Sequence, residues 1–89
     1  MDQTMSVTVI SPQKTLFAGE ALSLSSQNSA GKFDVLPNHA NFITFISNDI
    51  PILITKVTRE QLTFKFPMAI ICNLDNQVTI YAQLDISKV

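Results

Sequence analysis

Apolar and polar residues alternate with a period of two along most of this chain. Met5, Val7 and Val9 are interleaved with Ser6 and Thr8, and Ala21-Leu22-Ser23-Leu24-Ser25 alternates again. Leu62, Phe64 and Phe66 stand against Thr63 and Lys65, and Val78, Ile80 and Ala82 against Gln77, Thr79 and Gln83. Successive side chains of a strand point to opposite faces, so each segment predicts a β-strand with one apolar face. This phase makes Leu22, Leu24, Phe64 and Phe66 core residues.

Two stretches depart from alternation: Phe42-Ile43-Thr44-Phe45-Ile46 and Met68-Ala69-Ile70-Ile71-Cys72 are apolar on both faces. Either they are strands covered on two sides in the middle of a sandwich, or one face of each is reserved for a partner. Turn residues recur at short spacing, in Asn28-Ser29-Ala30-Gly31, Leu36-Pro37-Asn38-His39, Ser47-Asn48-Asp49, Thr58-Arg59-Glu60 and Asp75-Asn76. The last predicts a hairpin, since Asp and Asn tolerate positive φ. Pro51 and Pro67 lack an N–H and belong at a strand start, an edge or a bulge. No window shows helical spacing. The prediction is an all-β fold: a small antiparallel β-sandwich of about eight or more short strands, one domain over residues 1–89.

Composition changes that picture by narrowing function. Hydrophobic residues are 46% and charged residues 15% of the 89, against roughly 25% charged in soluble domains. That excludes a disordered tail, and no apolar run approaches the ~20 residues of a membrane span. Lys14, Lys32, Lys56, Arg59, Lys65 and Lys88 are scattered and the net charge is −1; nucleic-acid binding wants clustered cations. A near-neutral, apolar surface favours association with a protein. The single cysteine, Cys72, forms no internal disulfide, and no Cys/His ladder holds zinc. The N-terminus carries no signal-peptide pattern, so a cytosolic location is expected.

Reactive groups are few. A nucleophilic Cys72–His39 pair would require both side chains to converge in a pocket; Cys72, inside an apolar run, reads instead as a small buried hydrophobe. His39 reads as a loop residue with a structural or contact role. Asp34, Asp49, Glu60 and Asp75 are dispersed in or near turns, which does not suit paired acid–base chemistry. Gly19 and Gly31 are the only glycines, too few for a Gly-rich phosphate loop. No catalytic, cofactor-binding or metal-binding residue is assigned.

One segment goes further. Gly31-Lys32-Phe33-Asp34-Val35-Leu36-Pro37-Asn38-His39-Ala40 resembles the G-x-[FL]-x-[IV]-[LY]-P-x-H-A signature of the ε subunit of F-type ATP synthases. Val7-Thr8-Val9-Ile10-Ser11-Pro12, followed by Leu16-Phe17-Ala18-Gly19, is similar to that family's opening. Asn76-Gln77-Val78-Thr79-Ile80-Tyr81-Ala82 is similar to its closing strand. The three matches fall in order across residues 5–83.

The resemblance implies a non-catalytic rotor domain that links the γ stalk to the c ring and couples ion translocation to ATP synthesis. It implies Ser11, His39 and Thr44 as γ-facing positions. Gly31, Lys32, Asn38, Ala40, Asn41 and Phe42 are implied near the c ring. Lys32 stands where the family is often acidic, so it is either a ring contact of altered sign or an ordinary solvated turn lysine. Met68-Ala69 replaces the family's glycine pair and Cys72 its acid. The family commonly continues into a C-terminal helical hairpin; Leu84-Asp85-Ile86-Ser87-Lys88-Val89 shows no helical pattern, so either the short form is natural, as expected, or these residues are a trimmed piece of a longer chain. The implied location is peripheral, on the cytoplasmic face of the inner (plasma) membrane, held by its partners without membrane insertion. A different class, a free-standing β-sandwich adaptor for an unrelated partner, stays open on fold alone.

Overall fold

A computed structural model describes residues 3–83. The strands are β1 (Met5–Ile10), β2 (Thr15–Asn28), β3 (Gly31–Val35), β4 (Phe42–Ser47), β5 (Ile52–Lys56), β6 (Gln61–Phe64), β7 (Met68–Leu74) and β8 (Gln77–Gln83). No helix occurs among the described residues. The strands form one curled sheet in the order β4-β7-β8-β1-β2-β5-β6, with β3 also on β2. The all-β, sandwich-like class is as expected.

The curl originates in β2, whose first half pairs with β1 and whose second half pairs with β5 and β3. The β2–β5 register shifts between Ala21 and Ser23, and such a bulge bends a strand and strengthens its twist. Two layers result, β4-β7-β8-β1 and β3-β2-β5-β6. Where the far end of β2 meets β4, Asn28 Nδ2 donates to Thr44 Oγ1 at 2.8 Å. The bulge also corrects the expected phase. Ala21 and Leu24 are fully buried while Leu22 is only half-buried, because the extra residue flips the alternation.

Elsewhere the alternation holds. Met5, Val7 and Val9 of β1 and Val78, Ile80 and Ala82 of β8 all face the core. Every pairing is antiparallel except β1–β8, which is parallel from Ser6↔Gln77 to Ile10↔Tyr81. Turn chemistry forms where expected. Asp75 (φ 50°) and Asn76 (φ 66°) make the tight β7–β8 turn, and Asn48, Asp49 and Arg59 also take positive φ. Pro51 and Pro67 directly precede β5 and β7, so neither removes a ladder donor from a strand interior.

Strand β6 is an edge, and its phenylalanines divide unequally. Phe64 is half-buried, whereas Phe66, beyond the strand end, is 5% exposed. Their rings stack with centroids 5.8 Å apart. Phe64 is therefore peripheral to the core rather than central to it. Phe66→Ala is expected to destabilise the domain by about 3–5 kcal/mol, and Phe64→Ala by only about 1–2 kcal/mol. Urea denaturation of both variants checks the ranking, and equal losses would contradict it.

Candidate functional site

The segment between β3 and β4 is shaped by local chemistry. Leu36-Pro37-Asn38-His39 is a turn closed by His39 N–H donating to Leu36 O at 3.0 Å. Pro37 presets φ at the first central position and Asn38 accepts φ 66° at the second, the requirement of a type II turn. Asparagines of the β7–β8 hairpin and of the loop itself then tie the two together. Asn38 N–H donates to Asn76 Oδ1 and Asp75 N–H to Asn41 Oδ1, both at 2.8 Å. Asn73 Nδ2 reaches the carbonyls of His39 and Ala40 at 3.2 and 3.1 Å. The His39 ring lies 5.1 Å from Phe42, which meets Phe33 edge-on at 6.0 Å. Loop 36–41 is an exposed segment held by long-range bonds.

The residues singled out from the sequence do not form one cluster. His39, Ala40 and Asn41 are exposed beside the β7–β8 turn. Phe42 is half-buried between Phe33 and His39. Gly31 pairs with Asn28 at the β2–β3 turn, with φ 124°, a backbone conformation that glycine takes without strain. Lys32 is exposed beside it. Ser11 lies past the opposite end of β1, where it is 5% exposed. Its hydroxyl donates to Lys14 O at 3.1 Å and accepts from Lys14 N–H at 3.2 Å. Thr44 alternates with exposed neighbours, points inward and holds Asn28. Cys72 is half-buried on the outer side of β7, opposite Ile43 and Thr79, not in the core as expected. The His39 ring instead turns Nδ1 to Ala40 O at 2.7 Å.

The doubly apolar stretches have a clear outcome. β4 is an edge strand and β7 an inner one, yet each buries only one face. Ile43 (70% exposed), Phe45 (53%) and Ile70 (39%) point outward. Cross-strand registers align Phe45, Ile70, Tyr81 and Ile10 in one row across four strands. Pro12 and Met68 border a shallow depression of about 210 Å³ that runs along Phe45, Ile70 and Tyr81. No outward position of β4, β7, β8 or β1 carries a charge. Contiguous exposed apolar surface of this kind marks contact sites. Sequence reasoning missed Asn73 and Tyr81, and left open whether the face of β7 that carries Ile70 is covered or reserved for a partner. Asn73 had a signal, since it interrupts the buried series Ala69, Ile71 at an inward position.

Among the described residues, no helix is long and apolar enough to cross a membrane, and no group of three His, Cys, Asp or Glu side chains is arranged to hold a metal ion.

Fold and surface define a class: an all-β, sandwich-like domain presenting one uncharged apolar face and one clasped loop. Within that class, the chain belongs to the family described as ATP synthase, Delta/Epsilon chain, beta-sandwich domain, whose model matches residues 4–85. It is 31% identical over 83 residues to the ATP synthase epsilon chain of Pelotomaculum thermopropionicum, a match covering 91% of this chain and 59% of that one. The chain thus spans about three fifths of that relative's length.

Two solved structures share the fold. One is a chain of the Euglena gracilis mitochondrial ATP synthase, OSCP/F1/c-ring in rotational state 1. It has a TM-score of 0.83 and 10% identity, covering 92% of this chain and 52% of that one. The other belongs to the Tetrahymena thermophila mitochondrial ATP synthase central stalk/c-ring. It has a TM-score of 0.72 and 15% identity, covering 94% and 66%.

Proposed function

We propose that this chain is a central-stalk rotor subunit of an F-type ATP synthase, linking the γ subunit to the c ring and coupling ion translocation to ATP synthesis. The domain itself performs no reaction. Membership of the Delta/Epsilon β-sandwich family over residues 4–85 carries the reading. The uncharged outer face of β4, β7 and β8 supports it, because a subunit that transmits torque needs a broad apolar contact on a rigid, close-packed body.

In this reading γ covers that face. His39, in the loop that enters β4, meets γ at one end, the Ser11-Pro12 turn borders the face at the other, and Thr44 acts from beneath by fixing β4 to Asn28. Lys32 with Gly31, and the loop residues Asn38, Ala40 and Asn41 backed by Phe42, face the polar loops of the c ring. The location is peripheral, on the cytoplasmic face of the membrane, held through these partners. Residues 1–89 are read as one domain, of which 1, 2 and 84–89 lie outside the described residues.

The test is co-elution with the γ subunit of the same organism on a sizing column. A 1:1 complex is expected. His39→Ala should weaken it about tenfold while the isolated variant stays within about 0.5 kcal/mol of the parent in stability. A large loss of stability would make His39 a folding residue instead. No complex between folded partners, with none formed on adding the c ring, would replace the rotor reading with that of an adaptor for another partner.

A further inference from the structure

We propose that Asn73 is a positioning residue that holds His39 as its Nδ1–H tautomer, so that loop 36–41 offers the Nε2 lone pair as a hydrogen-bond acceptor to a donor on the partner. The partner half of this inference rests on the docking reading above; the tautomer half does not.

Asn73 is 1% exposed and occupies an inward position of β7, in series with the buried Ala69 and Ile71. A valine there would bring no polar atom of its own to satisfy. The asparagine leaves one: its Oδ1 has no hydrogen-bond partner, a costly state for a buried acceptor. The other end of the amide is fully engaged. Nδ2 faces two main-chain oxygens, His39 O at 3.2 Å and Ala40 O at 3.1 Å. Carbonyl oxygens only accept, so the amide orientation is fixed with its NH2 toward the loop.

Ala40 O also lies 2.7 Å from His39 Nδ1. It has no proton to give, so Nδ1 must carry one. Neutral imidazole has a single N–H, and Nε2 is therefore the bare acceptor. The remaining freedom of the residue is removed from other directions. His39 N–H is bound to Leu36 O at 3.0 Å, and Phe42 packs against the ring at 5.1 Å. Asn73 thus fixes the Ala40 carbonyl, that carbonyl selects the tautomer, and the exposed His39 presents an acceptor in a set orientation. The matching partner group is a donor: a main-chain N–H, a hydroxyl or a cationic side chain. A carboxylate opposite would meet lone pair with lone pair.

His39 is the only histidine, so an imidazole 15N spectrum of the free chain reports one ring. For the neutral ring, the expected pattern is protonated Nδ1 and unprotonated Nε2. Asn73→Val should return the ring to a mixture of tautomers. Asn73→Ala, which likewise removes both donors, provides the same comparison if the valine variant does not fold. A protonated Nε2 in the parent, or an unchanged pattern in the folded variant, overturns the proposal. Binding to γ then tests the acceptor. His39→Gln, whose amide oxygen accepts, should bind about tenfold more tightly than His39→Lys, which only donates. Equal affinities, or no complex with the parent while the tautomer holds, overturn the partner half and leave the tautomer standing.

Discussion

Asn73→Asp is expected to be severely destabilised at neutral pH and to recover in acid. The new carboxylate would sit in a position 1% exposed, beside the carbonyl oxygens of His39 and Ala40 that now receive the amide's N–H groups. Burial and the two carbonyl dipoles both oppose its charge, so its folded-state pKa lies above the ordinary aspartate value of about 3.9. Between those two values the folded chain binds more protons than the unfolded one, and stability falls as pH rises. Above the raised value the loss is complete. An uncompensated buried charge costs about 3–5 kcal/mol, a large part of a typical domain stability of about 5–15 kcal/mol. Denaturant midpoints measured near pH 4 and pH 7 should diverge for this variant and coincide for Asn73→Val. Coincidence in both would mean that the site is wetter and looser than the structure implies.

Ile70→Lys is expected to have the opposite character: a fold left intact and a docking surface lost. Ile70 is 39% exposed, with Phe45 and Tyr81 as its cross-strand neighbours in the apolar row. A lysine there can extend into water in the free domain, so stability should stay within about 0.5 kcal/mol. In a complex the ammonium would be trapped at the centre of an uncharged face, where contacts carry most of the binding free energy. A loss of about 30-fold or more in affinity for γ follows from a penalty of about 2 kcal/mol. Thr63→Lys, exposed on the edge strand β6 in the other layer, is the matched control and should bind normally. Equal binding by both variants would move the γ contact off this face.

Much of the fold was legible because β1 and β8 alternate cleanly and the turns use residues that accept positive φ. Asp75 and Asn76 are the clearest example. The phase of β2 was not legible. A bulge is a backbone event between strands, and nothing in Ala21-Leu22-Ser23 marks which residue will be left unpaired. The exposure of Ile43 and Phe45 was open for a related reason. Periodicity states that a strand has two apolar faces, but only topology decides whether a second layer covers both. The candidate site was legible where residues are consecutive, as in loop 36–41. It was hidden where β7 and β8 supply the support, because Asn73 and Asn76 are more than thirty residues away from the loop that they hold.

The parallel pairing of β1 with β8 has a mechanical consequence. These strands come from opposite ends of the sequence and run in the same direction, with five residue pairs in continuous register from Ser6↔Gln77 to Ile10↔Tyr81. A pull applied across the N-terminal end of β1 and the C-terminal end of β8 drives the two strands past each other along their length. The pairs are then loaded together, in shear, and must fail as a set. Two strands joined by a hairpin and pulled at their free ends would instead open like a zipper, one rung at a time.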